Sequence, residues 1–206
     1  MVEVRDMFRW PEGKRIGINS AGANILCKEH NSQLAILDDE IVKLANACAD
    51  FWDDPKTSSV AIDATLIERW LLKVTVGLAA AGFLGDKMHP ALSTARQLFG
   101  LDPLNERFAL YGVSNISVTR KWNRSVSYVF LQNTGTGVVE GAIFLVNSLP
   151  IFAYIGDGNP EQALRSASEV AGIDVGQAKV SKRPPALYLK TLANEAKLTI
   201  SFTRAG

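Results

Sequence analysis

The sequence is poor in the residues that most often declare chemistry. Its 206 residues include two cysteines, Cys27 and Cys48, and two histidines, His30 and His89. Two thiols do not make a disulfide framework, so a reducing compartment is the expectation. An excess of charge of either sign is also lacking. With 22 basic and 21 acidic residues the formal net charge is +1, which excludes a protein that coats nucleic acid along its whole surface and leaves room only for a local basic patch. The longest apolar run, Trp70 to Leu84, is broken by Lys73 and falls short of the roughly 20 residues a membrane span needs. It reads as a buried helix, and no membrane partner is expected. Met1 to Asp6 lacks the apolar stretch of a signal peptide, so a cytoplasmic protein is expected by elimination. No internal repeat or low-complexity tract is visible.

What is present is a helical half followed by a strand-rich half. Asp38 or Asp39 can cap a helix over about 38–53, where Ile41, Leu44, Ala45, Cys48 and Trp52 form one stripe at three-four spacing. On that stripe Cys48 is a small core residue rather than a ligand. Residues 55–62 read as a connection. A second helix, about 63–81, carries Leu66, Ile67, Trp70, Leu71, Val74, Leu78 and Ala81 on one wide apolar face, with Gly82 as its C-terminal cap. Glu68, Arg69 and Lys73 form its polar edge, read as a solvated face rather than a catalytic pair. A third helix, about 90–99, opens at Pro90, and Gly100 and Pro103 close it.

After Asn105 the texture changes. Phe108–Val113, Ile116–Thr119, Val126–Gln132, Val138–Val146, Ile151–Ile155, Ala186–Leu192 and Leu198–Thr203 are rich in β-branched and aromatic residues and are separated by turn formers. Asn133 to Gly137 reads as a hairpin turn, because its glycines lead into a strand and not into the helix N-terminus that a phosphate loop requires. Ser148-Leu149-Pro150 reads as another tight connection. Asp157 and Asn159 are turn formers without the distal glutamate of a calcium loop. Glu161–Ala171 reads as a helix on the flank of the sheet. Helices followed by strands indicate an α+β fold with the helices packed on a mostly antiparallel C-terminal sheet. One domain over 1–206 is expected, helical over residues 1–104 and strand-rich over residues 105–206, because the apolar second helix needs a covering layer.

The candidate binding residues are basic and aromatic. Arg9, Trp10 and Arg15 lie in a polar N-terminal segment broken by Pro11 and Gly13, in which Arg15 to Ile18 reads as a short strand. Arginines meet phosphates and aromatics stack on bases, although docking of Phe8 and Trp10 on the core is the plainer reading. Lys182 and Arg183 precede two prolines in a stiff basic lead-in. His89 has no nucleophile near it in sequence. Cys27 and His30 stand at zinc-knuckle spacing, which makes them the metal candidates and zinc the cofactor that the spacing admits. A four-ligand site would also need Cys48, His89, carboxylates or a second subunit.

Ile25 to Ser32, with Cys27, His30 and Asn31 at its centre, followed by Leu37-Asp38, resembles the second half of an HNH-endonuclease module. Ile67 to Lys73 and Lys182 to Pro185 are similar to uncharacterised bacterial proteins that carry such a module at their N-terminus. The resemblance implies bacterial or phage origin and kinship with nucleic-acid enzymes. The module's first half and its catalytic histidine, which activates water beside the metal, have no counterpart in residues 1–26. The expectation is therefore a non-catalytic binding protein with a vestigial knuckle, whose partner is protein or nucleic acid. The alternative is a small-ligand binder or enzyme with a pocket between helix 63–81 and the sheet, where Tyr111, Arg120, Tyr128, Tyr154 and Arg183 are the polar candidates. A homo-oligomer joined through a sheet edge or the tryptophan-bearing helix faces is a third reading.

Overall fold

The computed structural model describes residues 2–6, 10–16, 28–80, 91–106, 108–114, 126–132, 139–154, 158–171, 179–190 and 195–204. The apolar stripe of the first long helix is in place. Helix α2 (Ala35–Asp53), preceded by the short polar α1 (Lys28–Gln33), buries Leu37, Ile41, Leu44, Cys48 and Phe51. Asp63 ends a strand and starts a helix: its Oδ1 accepts the N–H groups of Thr65 at 2.8 Å and Leu66 at 3.2 Å, a side-chain cap. That helix, α3 (Ala64–Ala80), buries Ala64, Ile67, Trp70, Leu71, Leu72 and Leu78. Helix α4 (Leu92–Leu98) ends at Gly100, whose φ of +73° suits a residue without a Cβ. The α+β class holds.

Two sheets receive the strands. The larger runs in the order β2 (Trp10–Ile16), β1 (Val2–Asp6), β5 (Val126–Gln132), β6 (Val139–Val146), β7 (Leu149–Tyr154), β4 (Ala109–Ser114), β8 (Lys179–Lys182), and only the β1–β5 pair is parallel. The smaller has the order β3 (Ser58–Asp63), β10 (Lys197–Thr203), β9 (Ala186–Lys190), with β3 parallel to β10. The period-two alternation of side chains divides the larger sheet into two buried faces. Leu110, Phe144, Val146, Leu149 and Ile151 join α2, α3 and the inner face of the smaller sheet in one core. Ala109, Tyr111, Val113, Ile143, Phe152 and Tyr154 join Leu164 of α5 (Pro160–Ala171) in a second core on the opposite face.

Several segments differ from the expectation. Residues 58–63 form a strand where a connection was expected, because the apolar core of Val60 to Ile62 is short and its partner lies near the other end of the chain. Strand β2 spans Trp10–Ile16 despite Pro11, which an edge strand tolerates. Strand β8 occupies some of the expected stiff lead-in, and its lysines suit an edge. Helix α1 buries nothing, so it has no apolar period to read. The strand expected at 116–119 and the turn at 133–137 lie outside the described residues.

The expected tight connection at 148–150 is displaced by one residue. Asn147 and Ser148, at φ +45° and +72°, make the turn, and β7 begins at Leu149. The turn docks on α2: Trp52 Nε1–H donates to the Asn147 carbonyl at 2.9 Å, and Asn147 Nδ2 donates to the Ala45 carbonyl at 2.6 Å. The Ser148 hydroxyl is buried with no hydrogen-bond partner among the described residues. Ser148→Gly removes this orphan and suits the left-handed backbone, so it raises stability by about 1 kcal/mol. Urea denaturation checks this; an unchanged or lower midpoint would mean that the hydroxyl is satisfied in solution.

Candidate functional site

Besides the Asn147–Ser148 turn, the described residues place a buried polar group at the joint between the two sheets. Glu68 sits on the buried side of α3 and is 3% exposed, so the solvated face expected for it is wrong. Its Oε1 accepts the N–H of Leu110 at 3.1 Å and the Nε–H of Arg183 at 3.1 Å. The Arg183 N–H in turn donates to the Leu110 carbonyl at 2.7 Å. Strand β8 pairs with β4 as far as Lys182 opposite Tyr111, and the chain then departs through Arg183 at φ +47°. The Glu68 carboxylate thus takes the rung of the ladder that β8 gives up. Pro184, next in the chain, lies on Gly112: a Cβ built there would meet Leu187 Cδ2 and stand 2.7 Å from Pro184 Cγ. This absence of a side chain lets the two sheets approach. Arg69 does not share the pair. Its guanidinium lies against Gly100, and its Nε is buried without a partner among the described residues.

The other sequence candidates divide cleanly. Lys182 Nζ donates to the Glu106 carbonyl at 2.9 Å, so Lys182 and Arg183 both act within the fold. Tyr111 and Tyr154 do meet, with ring centroids 6.3 Å apart, but on the sheet face under α5 rather than beneath α3. Burial raises the Tyr111 pKa, Tyr154 adds to the rise and Arg183 opposes it, so the phenol stays neutral at ordinary pH. Between α3 and the sheet the Trp70 ring meets Phe144 edge-on at 5.7 Å. Arg9, Cys27, His89 and Arg120 lie outside the described residues. Trp10 and Arg15 lie on β2, the edge strand. Asn159 caps α5 through Glu161 N–H at 2.8 Å.

Of the metal candidates, His30 is described, and it lies away from Cys48. The Cys48 thiol has no exposure, and burial pushes its pKa up to about 12. Between pH 9 and 12 the unfolded chain releases this proton while the folded chain keeps it, so the group's contribution to stability falls as pH rises through that window. Cys48 lies thirteen residues into α2, about 20 Å along the helix axis. His30, on the exposed α1, is at the other end, with its ring 5.3 Å from that of Phe99. Ligands of one zinc ion sit about 2 Å from it, so these two residues cannot share it. Asp38, a conceivable partner for His30, pairs with Lys73 Nζ at 2.6 Å. Among the described residues no three His, Cys, Asp or Glu side chains are grouped to hold a metal ion.

An open surface that the sequence reading missed lies on the outer face of the smaller sheet. The inward residues Leu187, Leu189, Leu198, Ile200 and Phe202 are buried. The outward ones are Ala186, Tyr188 and Lys190 on β9 and Lys197, Thr199 and Ser201 on β10. Tyr188 is 54% exposed, and Lys197 Nζ stands 3.9 Å over its ring. Outward residues alternating with leucine in β9 and with leucine, isoleucine and phenylalanine in β10 are the signal that could have found it. Among the described residues no helix is long and apolar enough to cross a membrane. No protein-family profile, no curated protein and no solved structure matches the chain.

Proposed function

We propose that this chain is a non-catalytic binding protein for a macromolecular partner, and that Cys27 and His30 are the remnant of an HNH-like knuckle. The observation that carries the reading is the contrast between interior and surface. Inside, two of the described groups capable of chemistry are engaged in holding the fold: Glu68 by Arg183 and Leu110, and Cys48 by the core. Outside, the smaller sheet presents a half-exposed tyrosine flanked by lysines and hydroxyls. The burial of Cys48 also supports the remnant, because it removes one of the few ligands that could complete a zinc site with His30.

Incubation of the full chain with single- and double-stranded DNA and RNA, in the presence of magnesium, manganese or zinc, tests the reading. The expected result is intact substrate after prolonged incubation. Metal-dependent cleavage that His30→Ala abolishes would overturn it.

A further inference from the structure

The outward positions of β9 and β10 are not a uniform solvated face. Lys190 and Lys197 are directly opposed across the antiparallel pair, an arrangement of like charges that costs stability unless an anion lies between them. Neither lysine forms a salt bridge among the described residues. Lys197 holds one side of the Tyr188 ring by a cation–π contact. The next outward pair along the strands, on the side of Tyr188 away from Lys190, is Ala186–Ser201, and Ser201 is in turn paired with Ala61 of β3. Those residues are small, so they form a shallow floor beside the half-exposed Tyr188. Thr199, opposite Tyr188, and Ser59, opposite Thr199, line that floor with hydroxyls. Asp63, the one carboxylate on the strands of this sheet, is engaged in capping α3.

We infer that the outward face of β9–β10 docks single-stranded RNA, with Tyr188 as the stacking platform for a base and Lys190 and Lys197 as phosphate contacts. The inference rests on the binding reading above and names its partner. An aromatic ring accepts any base on its π-face, and two lysines at one end of it meet the backbone that runs past the stacked base. The ribose 2′-hydroxyl both donates and accepts hydrogen bonds, and the Thr199, Ser201 and Ser59 hydroxyls complement it; this selects RNA over DNA.

Fluorescence anisotropy of a labelled 12-nucleotide oligouridylate, titrated with the full chain in about 50 mM salt, is the test. Two phosphate contacts predict weak binding, with a dissociation constant on the order of tens of micromolar and a log–log salt slope of about −1.4. Tyr188→Ala weakens binding by about tenfold, and Tyr188→Phe restores it. Lys190→Ala with Lys197→Ala removes most of the salt slope. All these side chains point to solvent, and an unchanged melting curve for each variant verifies the fold. Binding that is equal for wild type and every variant would overturn this face as the site while leaving a binding protein. Absence of binding to the RNA would overturn the RNA assignment, and so would equal binding of a 12-nucleotide oligothymidylate. Cleavage of the oligonucleotide would instead overturn the non-catalytic reading on which the inference rests.

Discussion

Arg183→Ala lowers stability by about 3 kcal/mol, which corresponds to a fall of about 6–12 °C in Tm for a chain of this size. The substitution removes the cation and leaves the Glu68 carboxylate, 3% exposed, inside the joint. A buried carboxylate without its partner carries a desolvation penalty that its hydrogen bond from Leu110 N–H only partly offsets. The figure is set at the low end for a broken buried pair, because the Arg183 side chain is 37% exposed and water can enter where it was. The sign of a second substitution distinguishes this from loss of packing. Glu68→Gln in the Arg183→Ala background removes the buried charge, while the amide oxygen can still accept from Leu110 N–H, so the double variant regains some of the loss. Urea denaturation of Arg183→Ala, Glu68→Gln and the double variant measures the coupling. If Arg183→Ala lies within about 0.5 kcal/mol of the wild type, the pair behaves as a surface ion pair and the joint is held by packing alone.

Gly112→Ala costs about 2 kcal/mol at the same joint, by a different mechanism. The added methyl meets the Leu187 side chain and the Pro184 ring, whose Cγ is 2.7 Å from the ideal Cβ position. Leucine can change rotamer, but the proline ring cannot, and Arg183 N–H holds the preceding residue to the Leu110 carbonyl at 2.7 Å. The sheets must therefore separate locally. Leu187→Ala in the Gly112→Ala background makes room for the methyl and regains less than the full cost, because Pro184 still obstructs it. A wild-type denaturation midpoint for Gly112→Ala would show that β4 and β9 have slack between them.

The legible elements of this fold were those with a local period. The stripe of α2, the broad apolar face of α3 and the valine- and isoleucine-rich strands after residue 108 all follow from side-chain spacing. Asp63 was legible as a helix start, and its carboxylate is the cap. Glu68 was not legible. Beside Arg69 it reads as a polar helix edge, and the arginine that neutralises it lies 115 positions away. The same non-locality hid β3, whose partner β10 lies far along the chain. The Tyr188–Lys190–Lys197 surface needed the register of β9 against β10, since Lys190 and Lys197 become opposite residues only once the strands are paired. Cys27 and His30 are legible as metal candidates from local spacing alone, and Cys27 lies outside the described residues.

Amide chemical-shift mapping of the isotopically labelled full chain during titration with the oligouridylate tests the binding account most directly. The account predicts shifts concentrated at 186–190 and 197–203, with the inward-facing core of α2 and α3 unchanged. Shifts confined to the α5 side of the larger sheet or to the β1–β2 edge, with 186–190 and 197–203 unaffected, would contradict it.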